Sequence, residues 1–596
     1  MATYTAPLKD MQFLLHEVVG LDRVSHLPGC EEVTPDVVNA ILEECGKFSR
    51  DVLGPLNITG DKAGSKWEDG RVTTAPGFKQ AYKQFTESGW TAIGADPEYG
   101  GQGMPELVST PIKEMIGSAN LSFSLCPMLT QGGIEAIHLV GSEEQKRKFL
   151  PKMVSGEWTG TMNLTEPQAG SDLAAIRTKA VPEADHYRIS GQKIFITFGE
   201  HDYTDNIIHL VLARTPTAPE GVKGISLFIV PKFLVNDDGS LGARNDVKCV
   251  SIEHKLGIHA SPTCVLQYGD NGGAIGYLIG EENRGLEYMF IMMNLARFAV
   301  GLEGVSLGER AYQHALAYAK DRQQGSEFGK KGGARVPIIK HPDVKRMLLS
   351  MKSQTEAMRA LTYYCAACLD NGARHPDAEV KKREQMRAEL LIPIVKGWST
   401  ETGQEVASLG VQIHGGMGFI EETGAAQYYR DARITTIYEG TTGIQANDLI
   451  GRKLGRDGGA AMRAMIADMQ ATVVELNASG SVDCKAIGSV LDNAVKALAD
   501  ATQWMLAAFG RNPLEPAASA VPYLMLFGAV AGGWIMGESA LAAEKSLAGG
   551  GDNLFYTGKI KTACFYADHI LPRVFGLAHE VANGAESVLA IEEAAL

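Results

Sequence analysis

The chain has 596 residues, of which 45% are apolar and 21% charged, and its formal net charge at neutral pH is −14. This length predicts several domains, with cores large enough to need neither disulfides nor a structural metal. The composition excludes disordered and collagen-like chains, and the negative charge argues against a nucleic-acid partner.

The first part of the chain, residues 1–157, predicts an N-terminal helical domain. Apolar residues recur at helical spacing over residues 37–48, and Ser142 with Gln145 forms a capping box that opens another helix. The start of the chain lacks a basic segment followed by a long apolar run, which predicts no signal peptide. Together with nine scattered cysteines, this favours a cytoplasmic protein.

Between residues 158 and 280 the pattern changes to short β-type runs. Residues 186–197 read as strand, tight turn, strand, and four more runs follow at 207–213, 224–230, 247–252 and 263–268. These runs predict a compact β domain.

Helical patterns return after residue 280. Runs at residues 286–322, 341–370 and 378–409 predict an antiparallel bundle over residues 281–455. A Gly/Arg/Asp-rich joint at 455–459 separates an additional C-terminal helical domain, residues 456–596. The predicted fold class is therefore α+β.

Two features resemble sites that we do not expect. Cys365 and Cys368 form a CxxC in an apolar helical run, and because no second CxxC accompanies them we predict core cysteines and no metal site. The 22 uncharged residues 516–537 could span a bilayer. Pro522 and glycines at four-residue spacing favour a buried bundle helix instead, so no membrane span is predicted.

Two irregular segments carry candidate chemistry. In residues 162–172, a proline and a glycine fix a turn that can present N–H groups and hydroxyls to an anion or a polar ring edge. In residues 437–443, Glu439 stands in a Gly/Thr-rich break between helical runs, which suits a general acid or base. For each segment taken alone, an ordinary loop is the favoured interpretation.

Five motifs in one order resemble the acyl-CoA dehydrogenase family, flavoenzymes that desaturate acyl thioesters between the α and β carbons. The motifs are Leu164-Thr165-Glu166-Pro167 with residues 169–172, residues 191–197, Arg322 with Phe328-Gly329, residues 412–419, and Tyr438-Glu439-Gly440-Thr441. The resemblance covers residues 40–455, approximately, and implies an N-terminal helical domain, a β domain, a four-helix bundle and bound FAD.

The resemblance also implies individual roles. Glu439 resembles the general base, and Ala296 cannot replace it at the position before Arg297 where some family members carry the base. Substrate contacts are implied for Ser171, Asn294, Arg297, Tyr438 and Gly440, although Arg297 also fits an ordinary ion pair. FAD contacts are implied for Met162, Leu164, Thr165, Gly170, Ser171, Phe195, Thr197, Arg322, Phe328, Gln412, Gly415, Gly416 and Thr441. The spacer between Arg322 and Phe328 is longer than usual, which leaves the place of Phe328 open.

The N-terminal segment and the extra C-terminal domain are similar to those of a bacterial subgroup that includes 3-methylmercaptopropionyl-CoA dehydrogenases. The subgroup implies oxidation of that thioester to methylthioacryloyl-CoA in dimethylsulfoniopropionate breakdown. The alternatives are a medium- or long-chain fatty acyl-CoA dehydrogenase of β-oxidation, an acyl-CoA oxidase, and a non-catalytic scaffold, which the presence of Glu439, Thr165 and Thr197 disfavours. The implied partners are an acyl-CoA, electron-transferring flavoprotein, and further copies of the chain in a homodimer or tetramer.

Overall fold

The computed structural model describes residues 3–330 and 332–596, which form two compact units. The sheet unit consists of residues 47–104 and 119–299. The helical unit consists of the described residues of 1–46, 105–118 and 300–596.

Within these described ranges the chain forms twenty α-helices and twelve β-strands. The helices are α1 (Leu8–Phe13), α2 (Asp22–Ser25), α3 (Pro35–Phe48), α4 (Leu56–Ala63), α5 (Phe78–Glu87), α6 (Glu106–Ala119), α7 (Leu121–Val140), α8 (Glu143–Val154), α9 (Gly285–Asp321), α10 (Pro342–Arg374), α11 (Ala378–His414), α12 (Ala425–Thr435), α13 (Thr442–Asp448), α14 (Ala460–Ala478), α15 (Val482–Arg511), α16 (Leu514–Ala518), α17 (Ala520–Ala548), α18 (Asn553–His569), α19 (Arg573–Asn583) and α20 (Ala585–Leu589). The strands are β1 (Lys66–Glu68), β2 (Arg71–Thr73), β3 (Trp158–Asn163), β4 (Lys179–Pro182), β5 (Tyr187–Thr197), β6 (Asn206–Ala213), β7 (Ser226–Pro231), β8 (Phe233–Val235), β9 (Leu241–Arg244), β10 (Val247–Ile252), β11 (Thr263–Tyr268) and β12 (Ala274–Leu278).

The sheet unit is built around one eight-stranded sheet. Its strand order is β10-β11-β5-β12-β7-β6-β3, with β4 also paired to β5, and β3 runs parallel to β6. Strands β3, β6 and β7 are buried at every residue, and α7 and α8 pack against β3. The apolar runs of β6 and β7 predict this burial on both faces.

The expected strand–turn–strand over residues 186–197 is wrong. Residues 187–197 form the single strand β5, whose first half pairs with β4 and β12 and whose second half pairs with β11. Gly191, where the partners change, has a φ of 146°, and a Cβ on it would lie 2.6 Å from the hydroxyl oxygen of Thr178. The glycine therefore permits a close crossing of two chain segments and does not form a turn.

The uncharged segment near the C-terminus forms α17 inside the helical unit, where 83% of its most apolar 18-residue window is buried. A Cβ on Gly528 would lie 2.2 Å from Trp398 of α11, and one on Gly532 would lie 2.5 Å from the Tyr566 hydroxyl oxygen of α18. Helix α9 is also long and apolar enough to cross a membrane, and 67% of its corresponding window is buried. Such burial is typical of core helices.

One buried guanidinium group joins four separate segments of the helical unit. Arg359 of α10 is 1% exposed and donates hydrogen bonds to Asp10 of α1 at 2.7 Å, Glu114 of α6 at 2.8 Å and Glu309 of α9 at 2.6 Å. Burial raises the pKa of Glu114, and the positive charge of Arg359 opposes that shift. Because isolated charges are expensive to bury, these segments stabilise one another only when all are in place.

Lys559 of α18 extends this cluster to the C-terminal part of the chain. It is 2% exposed and donates to Asp10 and, at 2.7 Å, to Glu356 of α10. Burial raises the pKa of Asp10, but the charges of Lys559 and Arg359 outweigh burial and hold it well below its usual range. We call Asp10, Glu114, Glu309, Glu356, Arg359 and Lys559 the Arg359 cluster.

We expect Lys559→Met to lower the free energy of unfolding by about 3 kcal/mol, because it removes a positive charge from buried carboxylates. Denaturant unfolding of the purified protein measures the loss. Lys561→Met, on the same helix, is the matched control, since the ion pair of Lys561 with Asp483 is exposed and contributes at most about 1 kcal/mol. Equal losses in the two variants would contradict the stabilising role of the cluster.

Candidate active site

A buried ion pair fixes the irregular segment between β3 and β4. The Nζ of Lys193 on β5 lies 2.8 Å from Glu166 Oε1 and 2.9 Å from the carbonyl oxygen of Leu164, and the two charged side chains are 0% and 3% exposed. The hydroxyl and amide of Thr178 and the amide of Arg177 donate to the same carboxylate. The Glu166 carboxylate is therefore well supplied with donors despite its burial.

The electrostatics of this pair suit a structural role. Burial raises the pKa of Glu166, but the charge of Lys193 and the hydrogen bonds from its neighbours outweigh burial and bring the value to about 2. Burial also lowers the pKa of Lys193, to about 8. A carboxylate with so low a pKa, whose two oxygens both accept hydrogen bonds, is a poor proton acceptor, so Glu166 positions the loop.

The loop that this pair supports leaves small and polar groups accessible. Leu164 and Thr165 are partly exposed, and Gly170 and Ser171 are exposed. A Cβ on Gly170 would meet nothing within 4 Å. The predicted cofactor residue Met162 differs from these, since its side chain is 7% exposed and belongs to the apolar core of the sheet unit.

Phe195 projects an aromatic ring from strained backbone in the same region. It has a φ of 59° and is 58% exposed, at a bulge where the pairing of β5 with β11 shifts register. The amide of its neighbour Ile194 donates to the Thr165 carbonyl oxygen at 2.9 Å, which links the bulge to the loop. Thr197 follows and is partly exposed. The sheet unit thus brings together the predicted residues 164–171, Phe195 and Thr197.

In the helical unit, Glu439 lies in a left-handed turn between α12 and α13. Its φ is 54° and that of Gly440 is 88°. The side-chain amide of Gln445, which is 0% exposed, donates to the carbonyl oxygens of both residues at 3.2 Å. Thr441 caps α13, where its hydroxyl accepts the Ile444 N–H at 3.2 Å. A partly exposed carboxylate is therefore carried on a firmly held turn.

A second carboxyl group, that of Glu303 on α9, contacts the residue that precedes Glu439 in this turn. The Tyr438 hydroxyl donates to Oε2 of Glu303 on α9, and Glu303 is 5% exposed. Burial raises the pKa of Glu303 to about 8; Tyr438 and the charge of Lys396 oppose the rise, and the charge of Glu439 adds to it. Sequence reasoning missed both Glu303 and Gln445. Only Gln445 had a local signal, since it lies one turn after the Thr441 cap.

The remaining predicted site residues lie in three places. Gln412, Gly415 and Gly416 are exposed at the end of α11, and a Cβ on either glycine would meet nothing within 4 Å. Arg322, just after α9, is exposed, and Phe328 is 90% exposed.

The predicted CoA contacts Asn294 and Arg297 lie on the part of α9 that belongs to the sheet unit. Asn294 is partly exposed, while Arg297 is 2% exposed with its guanidinium carbon 6.0 Å from the centre of the Phe290 ring. Arg297 is therefore not a solvated surface residue.

Sequence models of four domains match the chain in order. They are described as the N-terminal (residues 40–157), middle (161–270) and C-terminal (283–454) domains of acyl-CoA dehydrogenase, and an acetyl-CoA dehydrogenase C-terminal-like domain (462–592). The 3-methylmercaptopropionyl-CoA dehydrogenase of Ruegeria pomeroyi is 50% identical over 588 residues, which is 98% of this chain and 99% of that relative. The chain belongs to the acyl-CoA dehydrogenase family.

Two further matches, one in sequence and one in structure, also extend over nearly the whole chain. A butyryl-CoA dehydrogenase of Syntrophomonas wolfei is 38% identical over 96% of both chains. A solved acyl-CoA dehydrogenase from Bacillus anthracis, complexed with FAD, superposes with a TM-score of 0.75 at 24% identity, covering 96% of this chain and 92% of that one.

Family membership confirms the predicted enzyme class, an oxidoreductase, and the predicted fold class with its additional C-terminal helical domain. The limits 1–157, 158–280, 281–455 and 456–596 stay a prediction.

The Glu166–Lys193 pair predicts a pH-dependent contribution to stability. The pKa of Glu166 is about 2 in the folded protein and about 4.3 in an unfolded chain. The contribution is therefore fully present above pH ~4.3, and up to ~3 kcal/mol is lost as the pH falls towards 2. As the pH falls through this window, we expect the unfolding free energy of the wild type to decrease relative to that of the double variant Glu166→Gln/Lys193→Met. A difference independent of pH would contradict the charged pair.

Proposed function

We propose that the protein is an FAD-dependent dehydrogenase that converts 3-methylmercaptopropionyl-CoA to methylthioacryloyl-CoA. The observation that carries the proposal is the 50% identity, over nearly the whole of both chains, with a relative named for that substrate. A fatty acyl-CoA dehydrogenase is the second candidate, favoured by the 38% identity with a butyryl-CoA dehydrogenase.

The exposed residues fit a flavin dinucleotide. Phe195 offers an accessible flat ring, and Thr165 and Thr197 are partly exposed in the same part of the sheet unit, a combination that suits a planar heterocycle with polar edges. The open space at Gly170, Gly415 and Gly416 admits close approach of a ligand to the backbone. When bound, FAD supplies a two-electron acceptor for the hydride that leaves the β-carbon. We assign its contacts to Leu164, Thr165, Gly170, Ser171, Phe195, Thr197, Arg322, Phe328, Gln412, Gly415, Gly416 and Thr441; the contact of Met162 stays a prediction from the resemblance, because its side chain lies in the apolar core.

The chain's own part in the reaction centres on Glu439. Its carboxylate takes the α-proton of the thioester, and its N–H donates to the thioester oxygen, where negative charge develops. The rigid turn held by Gln445 keeps these two groups in a fixed relation. We assign substrate contacts to Ser171, Asn294, Arg297, Tyr438 and Gly440, with the guanidinium of Arg297 directed to polar groups of CoA.

Membership of the acyl-CoA dehydrogenase family also supports a proposal for the electron acceptor, the location and the assembly of the enzyme. Electrons leave the reduced flavin for electron-transferring flavoprotein, and the enzyme works in the cytoplasm, without a membrane span, as a homodimer or tetramer. In such an assembly a neighbouring copy completes part of the dinucleotide site near residues 412–416.

We expect Glu439→Gln to lower turnover about 10²–10⁴-fold, because the amide keeps the side-chain volume but cannot accept the α-proton. Flavin content after purification, measured as FAD released on denaturation, should stay unchanged. Glu586→Gln, at an exposed position on α20, is the control and should keep full activity. Retention of more than roughly a tenth of the activity by Glu439→Gln would overturn the assignment of the base.

The substrate prediction is tested by anaerobic bleaching of the flavin with a panel of acyl-CoA thioesters. We expect the highest kcat/KM with 3-methylmercaptopropionyl-CoA, whose acyl group is as long as a chain of about five atoms. Butyryl- and valeryl-CoA should follow within roughly 10–200-fold, because one methylene changes pocket binding by only ~1–3 kcal/mol. Palmitoyl-CoA should react far more slowly.

The panel also separates the alternatives. Butyryl- or palmitoyl-CoA as the best substrate would place the protein among fatty acyl-CoA dehydrogenases. Rapid reoxidation by an oxygen pulse, without electron-transferring flavoprotein, would indicate an acyl-CoA oxidase. Purified protein that binds no flavin even after reconstitution would indicate a non-catalytic scaffold.

A further inference from the structure

Tyr438, which directly precedes the candidate base Glu439, is hydrogen-bonded to a helix far away in the sequence. The hydroxyl of Tyr438 donates to Oε2 of Glu303, which lies 135 residues earlier on α9. Glu303 is 5% exposed, and its second oxygen, Oε1, has no hydrogen-bond partner among the described residues. A buried carboxyl group with one unsatisfied oxygen costs stability, so its presence requires a reason.

The backbone beside Tyr438 supplies that reason. Glu439 adopts a left-handed conformation that a residue with a Cβ avoids by roughly 1–2 kcal/mol. Such a conformation persists only where its surroundings hold it. Gln445 holds the turn from the α13 side through two carbonyl oxygens. The Tyr438–Glu303 bond holds it from the α9 side.

We propose that Glu303 is a positioning residue, whose buried carboxyl group anchors the Tyr438 hydroxyl and thereby fixes the turn that aims Glu439. This inference rests on the proposed dehydrogenase function.

The charges around Glu303 favour an anchor over a second base. The groups that face it are Lys396 of α11 together with Tyr438 and Glu439 of the turn. Burial and the negative charge of Glu439 keep the pKa of Glu303 high, near 8, so the group is mostly a neutral carboxylic acid at neutral pH. A neutral acid still accepts the tyrosine hydrogen bond without placing a second full negative charge beside the base.

Two substitutions at this position separate anchoring from charge. Glu303→Gln keeps a neutral acceptor of the same shape, and we expect kcat within about 3-fold of wild type. Glu303→Leu removes the acceptor, and we expect kcat to fall about 10–100-fold with little change in KM, as for a misplaced catalytic group. Glu287→Leu, at an exposed position of α9, is the control. An equal loss of kcat in Glu303→Gln and Glu303→Leu would refute the anchoring role and would indicate that a negative charge on Glu303 is essential.

A double-mutant cycle tests whether Glu303 acts through Tyr438. Tyr438→Phe removes the hydroxyl group that donates to Glu303 and keeps the ring, so it should reproduce the loss of Glu303→Leu, and the double variant should be no worse than either single one. Additive losses would show that the two residues act separately and would refute the inference.

Hydrogen exchange gives a readout that needs no substrate. Amides of residues 436–445 should exchange faster in Glu303→Leu than in wild type, and Glu303→Gln should resemble wild type. Unchanged exchange in Glu303→Leu would refute the anchor even if the enzyme is active. Failure of the wild type to oxidise any acyl-CoA would refute the proposed function instead, while accelerated exchange would still support the anchor.

Discussion

The Arg359 guanidinium determines which segments of the helical unit must assemble together. It is buried among carboxylates from α1, α6 and α9, and each of those carboxylates would be costly to bury without it. Lys559 brings α18 into the same cluster. Glu303 and Glu309 stand on one helix, so the cluster that places Glu309 also places the support of Tyr438. The geometry of the Glu439 turn therefore depends on residues close to both ends of the chain.

Strained backbone coincides with candidate chemistry in both units. Phe195 and Glu439 each adopt a left-handed conformation although neither is a glycine, and each has a specific support. The bulge of β5 and the Glu166–Lys193 pair support Phe195, whereas hydrogen bonds from Gln445 support the turn of Glu439. A glycine would satisfy the backbone at lower cost at either position, so what these positions require is the side chain itself.

The sequence predicts local structure well and long-range pairing poorly. Helical periodicity places α9, α10 and α11 to within a few residues, and the strand runs at 247–252 and 263–268 coincide with β10 and β11. The turn predicted at Gly191 is wrong because a glycine that permits a close crossing looks the same in sequence as one in a turn. No local sequence pattern marks Glu303, since its contact is with a tyrosine 135 residues away. Motif resemblance pointed to Glu439, but periodicity and spacing alone left it in an ordinary loop.

The apolar helix α17 has a consequence during synthesis. Its 18-residue apolar window leaves the ribosome before α18, whose Tyr566 hydroxyl donates to the Ala529 carbonyl oxygen of α17. For that interval the nascent chain exposes a segment that a membrane-targeting factor or another unfinished chain could bind. Trp398 of α11, already made, offers α17 a surface shaped to its glycines. Rapid docking of the helix on that surface would shorten the interval in which the growing chain is open to aggregation or mistargeting.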